Sequence, residues 1–310
     1  MLDFLTGIFT SSYYTGLWLN MFVLMSISAF GNVLSLKGGY YNLGGDGQIY
    51  LAGFVSAMCL VKFSFMPPAL NIILSLLITL FVTGAFECMS AFFYCAKKVN
   101  VLLTTYLMSS ALIPVIDYLS SVTYRTKEGN LLATEFIEEN LRLKSILEPS
   151  PLNLSIILVP VLCALLYFVF KKTSWGKRVS IFGKSEEFAV YSGLSLRGNV
   201  YSTLFVDGAF HGLAGFVAVC GTYFSCYKGF ATSMGWNALT CALLAGKNPL
   251  FVIPSGLFLS WLYTSASRFS LVNNFGFDMS GIIQGIVIFI LAGNIALSKL
   301  NFKKILWRKK

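Results

Sequence analysis

The stretch Gly38-Gly39-Tyr40-Tyr41-Asn42-Leu43-Gly44-Gly45-Asp46-Gly47-Gln48 separates two apolar runs, residues 17–36 and 49–61. Each run approaches the roughly 20 residues that a helix needs to cross a hydrocarbon core. The glycines make an unbroken helix costly here and let the backbone bend. Asn42, Asp46 and Gln48 then stand at the edge of membrane depth or inside it. Broken backbone at that depth is tolerated only where protein buries it or where it lines a wet cavity, and an ionisable group there points to function. The competing reading is a surface loop in which Asp46 caps the following helix.

Working outward, the whole chain has the composition of a polytopic, all-α membrane protein. It has 310 residues, 56% hydrophobic and 12% charged, with a mean hydropathy of +0.73. Soluble domains carry about 25% charge. Apolar segments fall near residues 17–36, 49–62, 68–86, 100–119, 152–170, 199–224, 230–246, 250–267 and 279–298. That predicts about nine spans, some broken or half-length, in a single membrane domain over residues 1–310. The 230–246 segment is the weakest, because Asn237 and small residues dilute it.

The net charge of +10 does not imply nucleic acid, since the basic residues fall between or after the apolar runs. Lys37, Lys97 and Lys98 mark one side of the membrane. Lys171, Lys172, Lys177, Arg178, Lys184 and Arg197 form the most basic loop, and Lys303, Lys304, Arg308, Lys309 and Lys310 close the chain. If these are cytoplasmic, nine spans alternate consistently, with the N-terminus outside and the C-terminus inside. Met1-Leu2-Asp3-Phe4 lacks the basic start of a cleavable signal peptide, so the first run reads as a retained span. The loop 120–150 has no positive bias and reads as external, with Glu135 to Arg142 able to form a short surface helix before Pro149 and Pro151.

Within the later spans, Gly208, Gly212 and Gly215 recur at the spacing that lets helices approach closely. Asp207 and His211 share a helix face four residues apart and can pair, either as a satisfied polar pair or as a proton relay. Asp117 and Glu87 lie near predicted helix ends, where contact with water costs little. The seven cysteines form no CxxC pair and read as small apolar packers.

Enzyme chemistry finds little support. One histidine precludes HExxH, and no GxSxG lies on a suitable turn. Gly183-Lys184-Ser185 imitates the end of a P-loop, but Arg178 stands where its first glycine belongs. The chain offers no such route to ATP, and any ATP-driven transport would draw on another subunit.

Several stretches together resemble the permease family of bacterial ABC importers that handles nucleosides, riboflavin, ribose-type sugars and branched-chain amino acids. Asn42-Leu43-Gly44-Gly45-Asp46-Gly47-Gln48 is similar to the family's "NIGVEGQ", with Asp46 in place of Glu. Lys97-Lys98-Val99-Asn100-Val101-Leu102-Leu103-Thr104-Thr105 is similar to the nucleoside branch's "vNEVIxT", with Val101 in place of Glu. Thr173-x-x-Gly176 through Gly183 to Ser192-Gly193-Leu194 resembles the cytoplasmic "TxxGxxlRAxG…AAxxaGI" loop, with Ser180 at the Arg position and Phe188 at the first Ala of the pair. Gly208-Ala209-x-x-Gly212-Leu213-Ala214-Gly215 matches as well. Gly235-Trp236-Asn237-Ala238 running to Asn248-Pro249 resembles the nucleoside branch's "GFxGIAVALLGxxNP".

The resemblance covers roughly residues 17–298 and implies a permease subunit, not an enzyme. It would form a path for a purine nucleoside or riboflavin in the bacterial inner membrane. It implies no cofactor on this chain, since ATP is used by a partner. The partners implied are a cytoplasmic ABC ATPase, a second permease (copy or paralogue) and an external substrate-binding lipoprotein. Asn42, Gly44, Gly45, Asp46, Gln48, Trp236 and Asn237 become candidate path residues. The loop 171–198 becomes the coupling loop, with a docking helix over residues 186–193. In it Gly183 and Gly193 set the ends, Glu186 and Glu187 favour the first turn, and Phe188, Ala189 and Tyr191 meet the ATPase. The alternatives are the same importer carrying a sugar or a branched-chain amino acid, and a stand-alone ion- or proton-coupled carrier using Asp46, Asp117, Asp207 and His211. An intramembrane hydrolase finds no matched aspartate motif.

Overall fold

The computed structural model describes residues 4, 6–127, 130–275, 277 and 279–299, with side chains through Leu291. The basic tail at residues 303–310 lies outside the described residues. The described chain folds into eleven α-helices: α1 Ser12–Lys37, α2 Gly45–Lys62, α3 Pro68–Lys97, α4 Val101–Tyr118, α5 Leu158–Lys172, α6 Ser174–Phe182, α7 Glu186–Tyr191, α8 Leu196–Ala218, α9 Met234–Leu244, α10 Pro249–Val272 and α11 Met279–Lys299. Short π-helical turns extend α4 to Thr123 and α8 to Tyr223.

Nine of these helices coincide with the nine apolar segments, and α6 and α7 form the loop between the fifth and sixth. Six helical segments are long and apolar enough to cross a membrane: α1, α3, α4, α5, α8 and α10, the fourth, fifth and eighth of the eleven counted with their terminal turns. By contrast α9 has 11 residues, which reach about 16 Å, roughly half of a hydrocarbon core.

Helix α1 is apolar on every side and buried over most of its length, with Ile27, Phe30, Val33 and Leu34 fully enclosed. A helix of that kind belongs at the centre of a bundle. Helix α8 is the other mostly buried one. It packs on α1, α2 and α3, and its glycines set the distance. A Cβ on Gly208 would lie 2.7 Å from the Thr83 carbonyl oxygen and 2.8 Å from the Glu87 Cβ, and one on Gly215 would lie 2.5 Å from the Ala52 Cβ. A Cβ on Gly212 would collide with Thr83 Oγ1. The outer helices α3, α4 and α5 leave most of their apolar surface uncovered, including Phe81, Tyr106 and Phe168.

The segment from Glu135 to Arg142 is not the surface helix expected from its composition. Only Glu139–Leu141 makes a single 3₁₀ turn. The rest lies extended along the chain that follows α8. Thr134 N donates to Cys226 O at 3.0 Å, Ile137 N to Phe224 O at 2.9 Å and Leu143 N to Cys220 O at 2.8 Å. Ile137 and Leu141 are buried by this pairing. Burial of two apolar residues with paired backbone groups outweighs weak local helix propensity.

Candidate functional site

The bend between α1 and α2 organises the polar interior. Gly39 adopts φ +90°, which an L side chain rarely takes. Beyond it, Asn42 Oδ1 accepts from Gly44 N at 2.7 Å, Leu43 N donates to Thr105 Oγ1 at 3.0 Å, and Gly47 N donates to Ser109 Oγ at 2.8 Å. Side chains of α4 thus satisfy the exposed backbone at the start of α2, as a broken segment at membrane depth requires. Gly44 and Gly45 are tight contacts. A Cβ on Gly44 would stand 2.9 Å from Thr105 O, and one on Gly45 2.8 Å from Gly235 Cα and 2.9 Å from His211 Nε2.

Asn42 and Gln48 face inward, into a cluster drawn from three helices, α2, α3 and α8, and the bend. Asn42 Nδ2 donates to Gln48 Oε1 at 3.0 Å and to Asp207 Oδ2 at 3.1 Å. Gln48 Nε2 donates to Glu87 Oε2. His211 Nδ1 sits 3.3 Å from Asp207 Oδ1 and 3.0 Å from the Asp207 carbonyl oxygen. All five side chains are buried. Glu87 was not legible as a member. The apolar run 68–86 ends before it, but α3 continues to Lys97, so Glu87 lies well inside the helix and is fully enclosed.

Asp46 does something else. Its Oδ1 accepts from Gly235 N at 2.6 Å and its Oδ2 from Ser233 N at 3.3 Å. It therefore caps a helix, but α9 rather than its own. Ser233, the residue before α9, is left-handed at φ 66° and makes no side-chain cap, so the carboxylate of α2 supplies what α9 lacks.

A cavity of about 360 Å³ opens between α1, the end of α8, α9 and α10. Its walls include Met21, Leu24, Tyr223 and Phe230. Its polar atoms include those of Asn20, Thr222, Asn237 and Thr264. Asn20 Nδ2 donates to Thr222 Oγ1 at 3.1 Å. Asn237 is 8% exposed, and its Oδ1 has no hydrogen-bond partner. On one side stands an aromatic group in which Phe230 packs against Tyr223 at 5.3 Å and Tyr50 at 5.5 Å. Tyr50 in turn donates to Asp117 Oδ1 at 2.6 Å and accepts from Gly229 N at 3.0 Å.

Of the expected path residues, only Asn237 lines this cavity. Asn42 and Gln48 belong to the buried cluster, Gly44 and Gly45 to helix contacts, and Asp46 to the α9 cap. Trp236 is half-buried against the core. Asn20 and Thr222 went unnoticed in the sequence. Asn20, one of two asparagines inside the first apolar run, was the available signal. The four groups of the carrier alternative do not form one chain: Asp207 pairs with His211, Asp46 caps α9, and Asp117 holds Tyr50.

At the other end of the bundle, α6 packs against α1, α5 and α8, and α7 against α6 and α8. Ser185 Oγ accepts from Phe188 N at 3.2 Å, capping α7, and Gly193 follows it at φ +81°. Glu186 accepts from the Tyr94 hydroxyl and lies 3.9 Å from Lys98 Nζ. Glu187, Phe188 and Tyr191 are exposed, Tyr191 at 94%. Ala189, expected on the docking face, is instead fully buried in the chain's own packing. Gly183 meets α1 directly: a Cβ there would overlap the Lys37 carbonyl oxygen.

A bundle with a half-length helix, a bend buried by side chains and an exposed capped helix at its basic end is the architecture of a transport permease. The chain is similar over 90% of its length, and over 85% of the other chain, to an inward-facing metal-chelate type ABC transporter structure, at TM-score 0.50 and 15% identity. Residues 14–292 match the family of branched-chain amino acid transport system permease components, and the chain belongs to that family. It is an ABC permease subunit, not an enzyme. It is 32% identical over 248 residues to a probable riboflavin import permease protein of Treponema pallidum (strain Nichols), a match covering 79% of this chain and 64% of that protein. It is 23% identical over 295 residues to a guanosine ABC transporter permease protein of Bacillus subtilis (strain 168), covering 94% and 84%. It is 27% identical over 270 residues to a glucose ABC transporter permease protein of Haloferax volcanii, covering 83% and 70%.

Proposed function

We propose that this chain forms the translocation path of an ABC importer for a nucleoside-like substrate, a purine nucleoside or riboflavin. The observation that carries the reading is the family match over residues 14–292, joined to relatives named for riboflavin and guanosine. The path would be completed by a second permease, copy or paralogue. A cytoplasmic ATPase would supply the energy, and an external binding lipoprotein the substrate. The glucose relative keeps a sugar as the second reading.

The orientation follows from charge. Lys37, Lys97, Lys171 and Lys172 end α1, α3 and α5 on the side where α6 and α7 lie. That side is cytoplasmic on the positive-inside rule, which puts the N-terminus and the loop 120–150 outside and the C-terminus inside a bacterial cell membrane. With native cysteines replaced, a cysteine at Asn130 should react with an impermeant reagent from outside and one at Lys184 should not; the reverse would invert the assignment. The exposed Phe188 and Tyr191 would seat on the ATPase. In vesicles holding the full complex, labelled guanosine or riboflavin should enter only with ATP. Uphill movement by this chain alone on a proton or sodium gradient would overturn the reading.

A further inference from the structure

Helix α7 turns its aromatic side chains outward, with Phe188 and Tyr191 exposed. Its inner side has little grip, because its one buried side chain is the methyl of Ala189. A helix of six residues held by so small a group resists rotation poorly. A movement imposed on Phe188 and Tyr191 could then shift the bundle or merely swivel α7.

Glu186 supplies the missing hold. Its Oε2 accepts from the Tyr94 hydroxyl, and its Oε1 lies 3.9 Å from Lys98 Nζ. Tyr94 stands in the last turn of α3, and Lys98 is the left-handed residue that ends it, at φ 57°. A hydrogen bond to a carboxylate is stronger than one between neutral groups. The ion pair adds less, since the Lys98 side chain is 66% exposed and water screens it. The phenol therefore carries most of the contact.

Tyr94 leads further in. Its ring meets Tyr40 edge-on, with centroids 5.7 Å apart at 72°. Tyr40 is buried in the bend, two residues before Asn42. Its hydroxyl accepts from Asn199 Nδ2, in the first turn of α8, at 3.3 Å. Around Tyr40, Ala91, Val101, Val200 and Leu204 form an apolar cluster separate from the main core. Consecutive side-chain contacts thus link α7, α3, the bend and α8.

We propose that Glu186 and Tyr94 are a positioning pair, fixing α7 against α3 so that movement of its exposed face reaches the bend at Tyr40. The inference rests on the reading of α7 as the ATPase-facing helix. It gives Glu186 a different duty from its neighbours: Glu186 grips its own permease, while Phe188 and Tyr191 face the ATPase.

Contiguity alone does not establish coupling, so the test is a double-mutant cycle. It uses the complete complex in vesicles, with labelled guanosine and riboflavin as probes, and counts solute imported per ATP hydrolysed. Tyr94→Phe deletes one hydroxyl and keeps the ring on Tyr40. It should lower that ratio by about fivefold, the worth of one hydrogen bond, with ATP hydrolysis and the amount of assembled complex unchanged. Glu186→Ala should do the same, and the double variant should be no worse than either alone. Glu186→Gln, which keeps an acceptor for the phenol, should recover most of the ratio. An unchanged ratio in Tyr94→Phe, or losses that multiply in the double variant, overturns the proposal. So does a fall of hydrolysis and uptake together in Glu186→Ala and Glu186→Gln alike, which would put Glu186 on the ATPase and leave the docking reading standing. Unaltered hydrolysis and uptake in Tyr191→Ala overturns the docking reading, and the role of the pair with it. Amide hydrogen exchange over residues 189–192 needs no substrate. It should quicken by about fivefold in Tyr94→Phe, and unchanged protection overturns the proposal even where neither probe enters.

Discussion

Two polar regions lie within the bundle, and they differ in where their polar atoms point. In the Asn42–Gln48–Glu87–Asp207–His211 cluster, side chains from distant parts of the chain face one another and are shut off from solvent. Around the 360 Å³ cavity, Asn20, Thr222, Asn237 and Thr264 instead stand in the wall of open space. A polar residue in a membrane span is therefore not by itself a path residue. A side chain shut into a sealed polar cluster holds helices together; one in the wall of a cavity is available to a solute.

The contrast is open to direct attack. Asp207→Leu should have the largest effect, because it strips Asn42 and His211 of a partner in a sealed site. A loss of about 3 kcal/mol or more is expected, read as thermal unfolding of the detergent-solubilised protein; an unchanged transition would mean that the cluster does not clamp the helices. Asp46→Ala comes next, at about 1–2 kcal/mol for a lost cap. Uptake and assembled complex should fall together, and Asp46→Asn, which keeps an acceptor for Gly235 N, should recover much of both. If only uptake fell, Asp46 would belong to the path. Asn237→Leu should shift stability by no more than about 0.5 kcal/mol, as no internal bond of its oxygen is broken; a drop as large as that of Asp207→Leu would erase the distinction. Smallest in stability is Tyr191→Ala, a fully solvated change, yet substrate-stimulated ATP hydrolysis should fall if α7 is the docking helix.

Much of the architecture was legible because membrane helices announce themselves by composition. The nine apolar runs correspond in position to nine helices, and even the diluted 230–246 run holds α9. The polar interior was less so. Gln48 meets Glu87 39 positions away, and Asn42 meets Asp207 165 positions away, pairings set by helix packing and not by local pattern. Glu87 was misplaced because a hydropathy run stops at the first charge, whereas the helix runs on to Lys97. The Glu135 to Arg142 segment failed for the opposite reason: a helix allowed by its composition lost to backbone pairing with the chain after α8, roughly eighty to ninety residues further on. In α7 the cap and the glycine stop were readable, but the inward turn of Ala189 was not, since six residues fix no amphipathic face.

The contact between Gly183 and the end of α1 has a mechanical consequence. Gly183 Cα lies 3.3 Å from where a Cβ on Gly39 would stand, and its own missing Cβ leaves room only for the Lys37 carbonyl. Main chain bears on main chain, with no side chain between to change rotamer and absorb a displacement. A joint held by van der Waals contact resists compression and offers little against separation. It would pass a thrust from α6 and α7 straight to the bend that carries Asn42, and would scarcely pass a pull. If the ATPase drives this loop, its power stroke must be the inward one, and the return must come from elastic recoil elsewhere in the bundle.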